Sequence, residues 1–299
     1  MSKPLVSVIV ATYRRTHELK RAVSSVLAQT YENVELIIVD DNDDKKWNEK
    51  VSEIVCDEMT ASTYPFKLIQ NHPNQGSAKT RNIGIHAANG EYICFLDDDD
   101  IYLPDRISNQ VRDMISNNAD YGITDLALYN EDDSVSEIRK RGYLERQEKD
   151  NLLLCHLKYH MTGTDSLMFK RDYLLSFGGF DPIDSGDEYY LMMKAITALG
   201  TLVYTPECDI KAYVHIGENG LSSGRGKIEG ENNLYKFKKK YFENIGLKDK
   251  NYITMRHFAV LSFAYLRMHK LFQFVLYGFM SFIVAPIQCI QLLIERRSA

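Results

Sequence analysis

Cysteine is scarce in this sequence, and its spacing carries no metal-binding or disulfide pattern. Five cysteines occur among 299 residues, an odd number, and no two of them form a CxxC pair. This argues against a zinc site or a disulfide framework and indicates a reducing compartment. A signal peptide is also lacking, because the chain passes from Pro4 directly into a strand-like apolar run. We therefore expect a cytoplasmic protein.

An excess of basic residues is lacking as well. Lys and Arg number 36 against 41 Asp and Glu, which gives a formal net charge of −5. Nucleic-acid-binding surfaces are usually basic, so nucleic acid is not an expected partner. The hydrophobic fraction of 44% is ordinary for a globular protein, and the length suits one large α/β domain with additions.

Strand-like and helix-like patterns alternate along most of the chain. A buried strand at 5–11 is followed by an amphipathic helix, for which Thr16 is a plausible cap, and by a second strand at 35–39. A strand, a helix and a strand in such close succession form a βαβ unit with parallel strands. Further strands are predicted at 66–70, 92–96, 121–129, 165–169 and 201–204. The pattern predicts an α/β fold.

Two segments between these strands carry more specific predictions. Ser77 is expected to cap a helix that runs to Gly90, where glycine suits the C-terminal stop. From about 130 to 150 the charge is dense and the periodicity weak, and we expect a mobile excursion there.

Four consecutive aspartates, at 97–100, follow the apolar strand that ends at Leu96. Ligands of open α/β sheets bind at the carboxyl ends of strands. Clustered carboxylates repel one another, and a hard divalent cation such as Mn²⁺ or Mg²⁺ relieves that repulsion. The alternative is a solvated acidic loop that caps the next helix.

The C-terminal region contains an uncharged run at 271–294. A helix of that length would rise about 36 Å, enough to span a bilayer core, but Pro286 weakens a simple spanning helix. Basic residues flank the run, with His269 and Lys270 before it and Arg296 and Arg297 after it. We expect an in-plane helix or hairpin on the cytoplasmic face of a membrane. A helix buried in a homo-oligomer is the alternative.

Several motifs occur together in one order. They are VSVIVATY at 6–13, QTY at 29–31, VDDN at 39–42, NQGSAKTRNIG at 74–84 and FLDDDD at 95–100. The ordered set resembles the family 2 glycosyltransferases, which have the GT-A fold, a Rossmann-like mixed, mostly parallel sheet flanked by helices. The resemblance covers roughly residues 5–222.

The resemblance implies an inverting transfer of a sugar from a nucleotide-sugar donor, in the first instance a UDP-sugar, to an acceptor hydroxyl. It implies a GT-A domain at 1–225, with a donor-binding half at 1–100 and an acceptor half at 101–225. Residues 226–299 are then a helical, apolar extension. Similarity to bacterial surface-polysaccharide transferases implies a lipid-linked glycan as acceptor.

The resemblance also implies roles for individual residues. Asp41 would accept the N–H of the nucleotide base, Tyr13 would pack on that base, and Arg81 would reach the base carbonyl or a phosphate. Asp98 would face the ribose, while Asp99 would bind the metal together with Asp97 and His215. The implied donor-binding set is Ala11, Thr12, Tyr13, Asp41, Arg81, Asp97 and Asp98.

An inverting displacement needs a general base near the acceptor hydroxyl. Asp187 and Glu188 resemble the acidic pair of the family at the head of a helix. The family usually has Glu before Asp, and here the order is reversed, so either residue could be the base. The single tryptophan, Trp47, does not belong to the Gln-x-x-Arg-Trp motif of processive synthases, and we expect one sugar to be added per encounter.

Three rival interpretations were weighed. A catalytically inactive sugar- or nucleotide-binding scaffold of the same fold fits the same motifs. A nucleotidyltransferase would need a glycine-rich loop after the first strand, and residues 11–14 contain no glycine. A phosphatase with an aspartate nucleophile would carry it after the first strand, whereas the aspartates here follow the fourth.

Overall fold

The computed structural model describes residues 3–60, 62–144, 151–183, 186–214 and 224–297. Side chains of 224–225 and 295–297 are outside the description. Two compact units make up the chain, one of residues 1–148 and 161–214 and the other of residues 149–160 and 215–299.

The first unit contains all the strands in the described part of the chain. They are β1 (Val6–Thr12), β2 (Val34–Asp40), β3 (Phe66–Gln70), β4 (Tyr92–Asp97), β5 (Ile101–Tyr102), β6 (Tyr121–Thr124), β7 (Leu126–Tyr129), β8 (Val135–Arg139), β9 (Leu167–Lys170), β10 (Leu202–Thr205) and β11 (Ile210–Tyr213). Its helices are α1 (His17–Leu27), α2 (Lys45–Met59), α3 (Ser77–Ala87), α4 (Arg106–Ser116), α6 (Arg171–Ser176) and α7 (Asp187–Thr197).

A seven-stranded sheet forms the centre of this unit, in the order β10-β6-β9-β4-β1-β2-β3. β9 runs antiparallel to both of its neighbours, and the other pairs are parallel. A second sheet has the order β5-β11-β7-β8. The predicted α/β class, with a mixed and mostly parallel sheet flanked by helices, is confirmed.

Alternation along β1 explains how helices cover the sheet. Val6, Val8 and Val10 join the apolar core that also receives side chains from α1, α2 and α4. Ile9 faces the other side and meets α3, where a Cβ on Gly84 would lie 2.5 Å from its Cγ2. Only glycine lets the helix approach the strand so closely.

One predicted strand is in fact two. Residues 121–129 divide into β6 and β7, which belong to different sheets. Asp125 lies between them and is buried, and its Oδ1 accepts the N–H of Arg141 and the hydroxyl of Tyr204, both at 2.8 Å. These bonds hold the chain where it passes from one sheet to the other.

The segment at 130–150, which was expected to be a mobile excursion, contains a strand. β8 lies inside this segment and pairs antiparallel with β7. Its side chains are mostly exposed, which explains the missing apolar periodicity. Residues 145–150 lie outside the description.

The predicted caps of α3 are also wrong. Ser77 is the first helical residue rather than the cap, and Gly76 precedes it with a φ of 78°. The helix ends at Ala87, and the N–H of Gly90 donates to Ser7 Oγ at 2.9 Å and to Glu35 at 3.0 Å. Glycine is needed there because a Cβ would lie 2.5 Å from Ser7 Oγ.

The second unit is helical in its described part. It consists of α5 (Leu152–Tyr159), α8 (Gly224–Lys239), α9 (Leu247–Arg267), α10 (Leu271–Val284) and α11 (Pro286–Arg297). Ser281 of α10 donates to the carbonyl of Met255 in α9 at 2.9 Å, and Ala285 and Cys289 pack on Met255.

Most large apolar side chains of α10 and α11 are exposed. The exposed residues, here called the apolar face, are Leu271, Phe272, Val275, Leu276, Phe279, Phe282, Ile283, Ile287, Ile290, Leu293 and Ile294. Among the helices described, none has by itself the length and apolar composition to cross a membrane. Leu271–Val284 and Pro286–Ile294 reach that composition only together, and they are bent by 119° at their junction.

Candidate functional site

Acidic side chains meet at one edge of the seven-stranded sheet. β1, β2 and β4 are parallel neighbours whose registers set Ala11 opposite Asp97 and Thr12 opposite Asp40. Because the carboxyl ends of parallel strands share an edge, the residues that follow these strands extend the same surface. Those residues are Tyr13, Asp41 and Asp98.

Asp41 is held by the segment that leads into α3. Its Oδ1 accepts the N–H of Gln75 at 2.8 Å and the side-chain amide of Asn71 at 2.9 Å. Its Oδ2 accepts the N–H of Gly76 at 2.8 Å. A carboxylate has about four acceptor positions, so three are used here and about one is left for a ligand N–H.

Asp98 and Asp99 face the loop that follows β1. The N–H of Tyr13 donates to Asp98 at 3.1 Å, and Arg15 forms an ion pair with Asp99 at 2.9 Å. Burial, and then the neighbouring charge of Asp99, raises the pKa of Asp98 to about 7. The ring of Tyr13 is 48% exposed and has the guanidinium of Arg14 5.2 Å from its centre. This loop therefore carries an exposed aromatic side chain, and its backbone contacts the carboxylate of Asp98.

Arg81 joins two acidic groups that are far apart in the sequence. Its Nη2 donates to Asp97 at 2.7 Å and its Nη1 donates to Asp187 at 3.0 Å. Burial lowers the pKa of Arg81, but Asp97 and Asp187 more than offset this, and the net shift is upward. The guanidinium also lies 5.5 Å from the ring centre of Phe180. One buried cation thus bridges the end of β4 and the start of α7.

Asp187 and Glu188 occupy different environments at the start of α7. Both oxygens of Asp187 accept hydrogen bonds, Oδ2 from Arg81 and Oδ1 from the N–H of Glu188 at 3.0 Å. Burial raises the pKa of Asp187, and the charge of Arg81 opposes that shift. Glu188 is half-buried, and its Oε2 accepts the hydroxyl of Thr164 at 3.0 Å. Asp187 is therefore fixed, while Glu188 is the more open of the two.

The carboxylates offer oxygen ligands to a divalent cation. One oxygen from each of Asp97, Asp100 and Asp165 lies within 4.8 Å of the others. Burial, and then the charges of nearby carboxylates, raises the pKa of both Asp100 and Asp165. The side chains of Asp97 and Asp99 are more open, 38% and 19% exposed. An all-oxygen donor set fits Mg²⁺ or Mn²⁺. His215, the third predicted metal ligand, lies outside the described residues.

Comparison with known proteins decides the family. The model of the family described as glycosyl transferase family 2 matches residues 7–175, more than half of the chain. The chain belongs to glycosyl transferase family 2. The resemblance drawn from the motifs is confirmed.

One similar protein, from Escherichia coli, is the UDP-Glc:alpha-D-GlcNAc-diphosphoundecaprenol beta-1,3-glucosyltransferase WfgD. It is 33% identical over 137 residues, which cover 46% of this chain and 51% of the relative. The chain spans about half the length of the first curated relatives it matches.

Two solved structures share the fold. S. aureus TarS 1-349 in complex with UDP-GlcNAc aligns with a TM-score of 0.58 at 14% identity, over 90% of this chain and 89% of that one. The mannosyltransferase PcManGT from Pyrobaculum calidifontis, in complex with GDP-Man and Mn²⁺, aligns with a TM-score of 0.55 at 15% identity. That alignment covers 99% of this chain and 80% of the other. These likenesses confirm the GT-A fold.

Three residues that contact the predicted site residues were not predicted from the family 2 motifs. Arg15 pairs with Asp99, Thr164 donates to Glu188, and Asp165 accepts the N–H of Asp97 at 2.7 Å. The prediction placed Asp165 inside a strand, but β9 begins at Leu167 and Asp165 lies in the turn before it. The polar run TGTDS at 162–166, directly before an apolar strand, is the signal that could have revealed this turn.

Proposed function

We propose that this protein is a metal-dependent inverting glycosyltransferase that moves one sugar from a nucleotide-sugar, a UDP-sugar, to an acceptor hydroxyl. The observation that carries the proposal is the bridge from Asp97 through Arg81 to Asp187. It unites the carboxylates of the strand ends with the acidic pair of α7 in one cluster. Residues 1–100 then bind the donor, residues 101–225 serve the acceptor, and residues 226–299 form the extension.

On the donor side, Asp41 has about one acceptor position to offer a base N–H, and the exposed ring of Tyr13 can stack on the base. Ala11 and Thr12 form the end of β1 against which the nucleotide lies. Asp98 accepts a ribose hydroxyl, and Asp97 and Asp99, with His215, would hold the metal. Mn²⁺ or Mg²⁺ bound there would supply positive charge to offset that of the departing diphosphate. A UDP-sugar is supported by the names of WfgD and of the TarS complex.

On the acceptor side, we assign the general base to Glu188. Asp187 is engaged by Arg81 and by the N–H of Glu188, and a carboxylate so fixed is poorly placed to take a proton from a substrate. Glu188 keeps one oxygen on Thr164, which orients the other toward an incoming hydroxyl. A base within hydrogen-bond reach of that hydroxyl supports direct displacement with inversion. Arg81 then acts as a positioning residue for Asp187 as well as a donor-site cation.

The acceptor that we propose is a lipid-linked glycan of polysaccharide biosynthesis, presented at the cytoplasmic face of a membrane. Two observations support it. WfgD is named for a substrate linked to diphosphoundecaprenol. The apolar face exposes eleven large apolar side chains on two consecutive helices, and extensive exposed apolar surface marks an interaction site.

A thermal-shift titration with UDP-sugars tests the donor assignment. A ligand that binds only the folded protein raises Tm by mass action. We expect UDP-sugars to raise Tm in the presence of Mn²⁺ and to be hydrolysed or transferred. Binding without any turnover, with Mn²⁺ or Mg²⁺ and over a panel of glycolipid acceptors, would instead support the inactive scaffold.

Fractionation of lysed cells tests the membrane assignment. We expect the full chain to sediment with membranes and to be released by detergent. A protein that stays in the supernatant at every dilution contradicts the membrane assignment. If its apparent mass in that supernatant falls on dilution, the apolar face is instead covered by a second copy of the chain.

A further inference from the structure

A polar groove lies in the second unit, directly before the apolar face begins. Its volume is about 400 Å³, and it is formed between α8, the last turn of α9 and the residues that connect α9 to α10. The polar residues that line it are Glu229, Asn232, Asn233, Lys236, Tyr265 and Lys270. No residue of the proposed catalytic site takes part in it.

The groove has the chemistry of an anion site for oxygen-rich groups. Lys236 comes from α8 and Lys270 from the start of α10, so the two ammonium groups enter from different elements. Glu229 contributes the one carboxylate, which leaves a net charge of +1 on the lining. The amides of Asn232 and Asn233 supply further donors. Both lysines are exposed, so a ligand can reach them from solvent.

The position of Lys270 next to the apolar face indicates which class of anionic ligand fits the groove. The next two residues along the chain, Leu271 and Phe272, are 65% and 76% exposed and begin the apolar face. A cationic groove thus adjoins an apolar helix surface. A phospholipid carries the complementary pair, a phosphate joined to acyl chains, whereas a free phosphate ion would use only half of this surface.

We propose that this groove binds the phosphate of an anionic phospholipid headgroup, with the acyl chains lying along the start of α10. This proposal rests on the membrane assignment made above and adds its docking point. Lys236 and Lys270 contact the phosphate, and the tyrosine ring of Tyr265 lies beside Lys270, 5.9 Å from its Nζ. The groove orients the extension on the bilayer, which a purely apolar contact would not do.

Vesicle sedimentation of the full chain tests the proposal. The probes are phosphatidylcholine vesicles and the same vesicles with phosphatidylglycerol. The test variant carries Lys236→Gln and Lys270→Gln. The control carries Lys239→Gln and Lys240→Gln, which remove the same charge from exposed positions of the same region that do not line the groove.

We expect the partition coefficient on phosphatidylglycerol vesicles to fall about tenfold or more in the test variant and less than about threefold in the control. Partition on pure phosphatidylcholine should be the same for both. If the partition coefficient falls equally in the two variants, or does not fall in the test variant, the groove does not bind the phosphate. The membrane assignment would not be affected by that result. Failure of the unmodified chain to sediment with either vesicle would overturn both. Thermal melting of each variant verifies that the fold is intact.

Discussion

Separate replacement of the two acids at the start of α7 distinguishes their roles. Glu188→Gln keeps the shape of the side chain and an oxygen that can accept the hydroxyl of Thr164, but it removes the basic carboxylate. Asp187→Asn removes the charge that faces Arg81 while Asp97 continues to pair with that cation. Glu188→Gln should mainly lower the rate of turnover, and Asp187→Asn should mainly lower the free energy of unfolding.

The magnitudes follow from these contacts. Loss of a general base lowers turnover by about 10²- to 10⁴-fold, which corresponds to about 3 to 5 kcal/mol of transition-state stabilisation. Breaking a buried ion pair costs about 3–5 kcal/mol when the remaining charge has no other partner. Because Arg81 retains Asp97, we expect about 1–3 kcal/mol for Asp187→Asn, or a fall in Tm of roughly 3–10 °C.

The assay measures nucleoside diphosphate release with saturating acceptor, together with Tm and donor affinity by titration. We expect Glu188→Gln to lose turnover with donor affinity and Tm nearly unchanged. Asp187→Asn should melt earlier and lose less than about tenfold in turnover at a temperature where it is folded. Thr164→Val, which removes the hydroxyl that orients Glu188, should fall between them. If Asp187→Asn abolishes turnover at unchanged Tm while Glu188→Gln stays active, the assignment of the base is wrong.

Three further predictions concern metal, pH and a buried lysine. Asp99→Ala should nearly abolish turnover, and EDTA should do the same to the unmodified protein. The Tm of Asp99→Ala should change little, because the ion pair between Asp99 and Arg15 is partly exposed and contributes at most about 1 kcal/mol. Full turnover in excess EDTA would refute the metal requirement. Because the pKa of Asp98 is raised to about 7 and binding requires its ionised form, donor affinity should weaken as the pH falls below about 7, by up to about tenfold per unit, and Asp98→Asn should show a flat profile. Burial lowers the pKa of Lys238 to about 7. Between that pH and the pKa of an unfolded lysine, the unfolded chain holds a proton on Lys238 that the folded chain has lost. The free energy of unfolding should therefore rise with pH in this range, by at most about 1.4 kcal/mol per pH unit. Lys238→Met should remove this slope and raise Tm at neutral pH, and the exposed Lys239→Met should do neither.

Local sequence patterns predicted the middle strands of the central sheet because β2 and β4 are buried on both faces. Val34–Asp40 and Tyr92–Asp97 are almost wholly buried runs, and each is followed by polar residues at the edge where ligands bind. The strand-end aspartates could therefore be placed from the sequence alone. The pairing of Arg81 with Asp187 could not, because it joins residues 106 positions apart and no local period encodes it.

The sequence predictions were wrong or incomplete where contacts between distant residues, and not local sequence patterns, determine the structure. The division of 121–129 depends on Asp125, a polar residue whose partners Arg141 and Tyr204 lie far along the chain. The strand β8 has little apolar periodicity since both of its faces are largely exposed, so its pairing with β7 was invisible in the sequence. Thr164 was overlooked because a single threonine in a turn carries no local sign of its contact with Glu188.

The reversed direction of β9 brings a segment from a later part of the chain to the site. β4, which is next to β9, and β1, which is next to β4, both end at this edge of the sheet. β9 begins at the edge, so the turn that holds Thr164 and Asp165 reaches the edge before its strand. Lengthening that turn by one residue would shift Thr164 against Glu188, and it would also shift Asp165, which accepts the N–H of Asp97 at 2.7 Å. A change of length in this one turn would therefore alter the surroundings of Glu188 and of the end of β4 together, while the register of β1, β2 and β4 stays as it is.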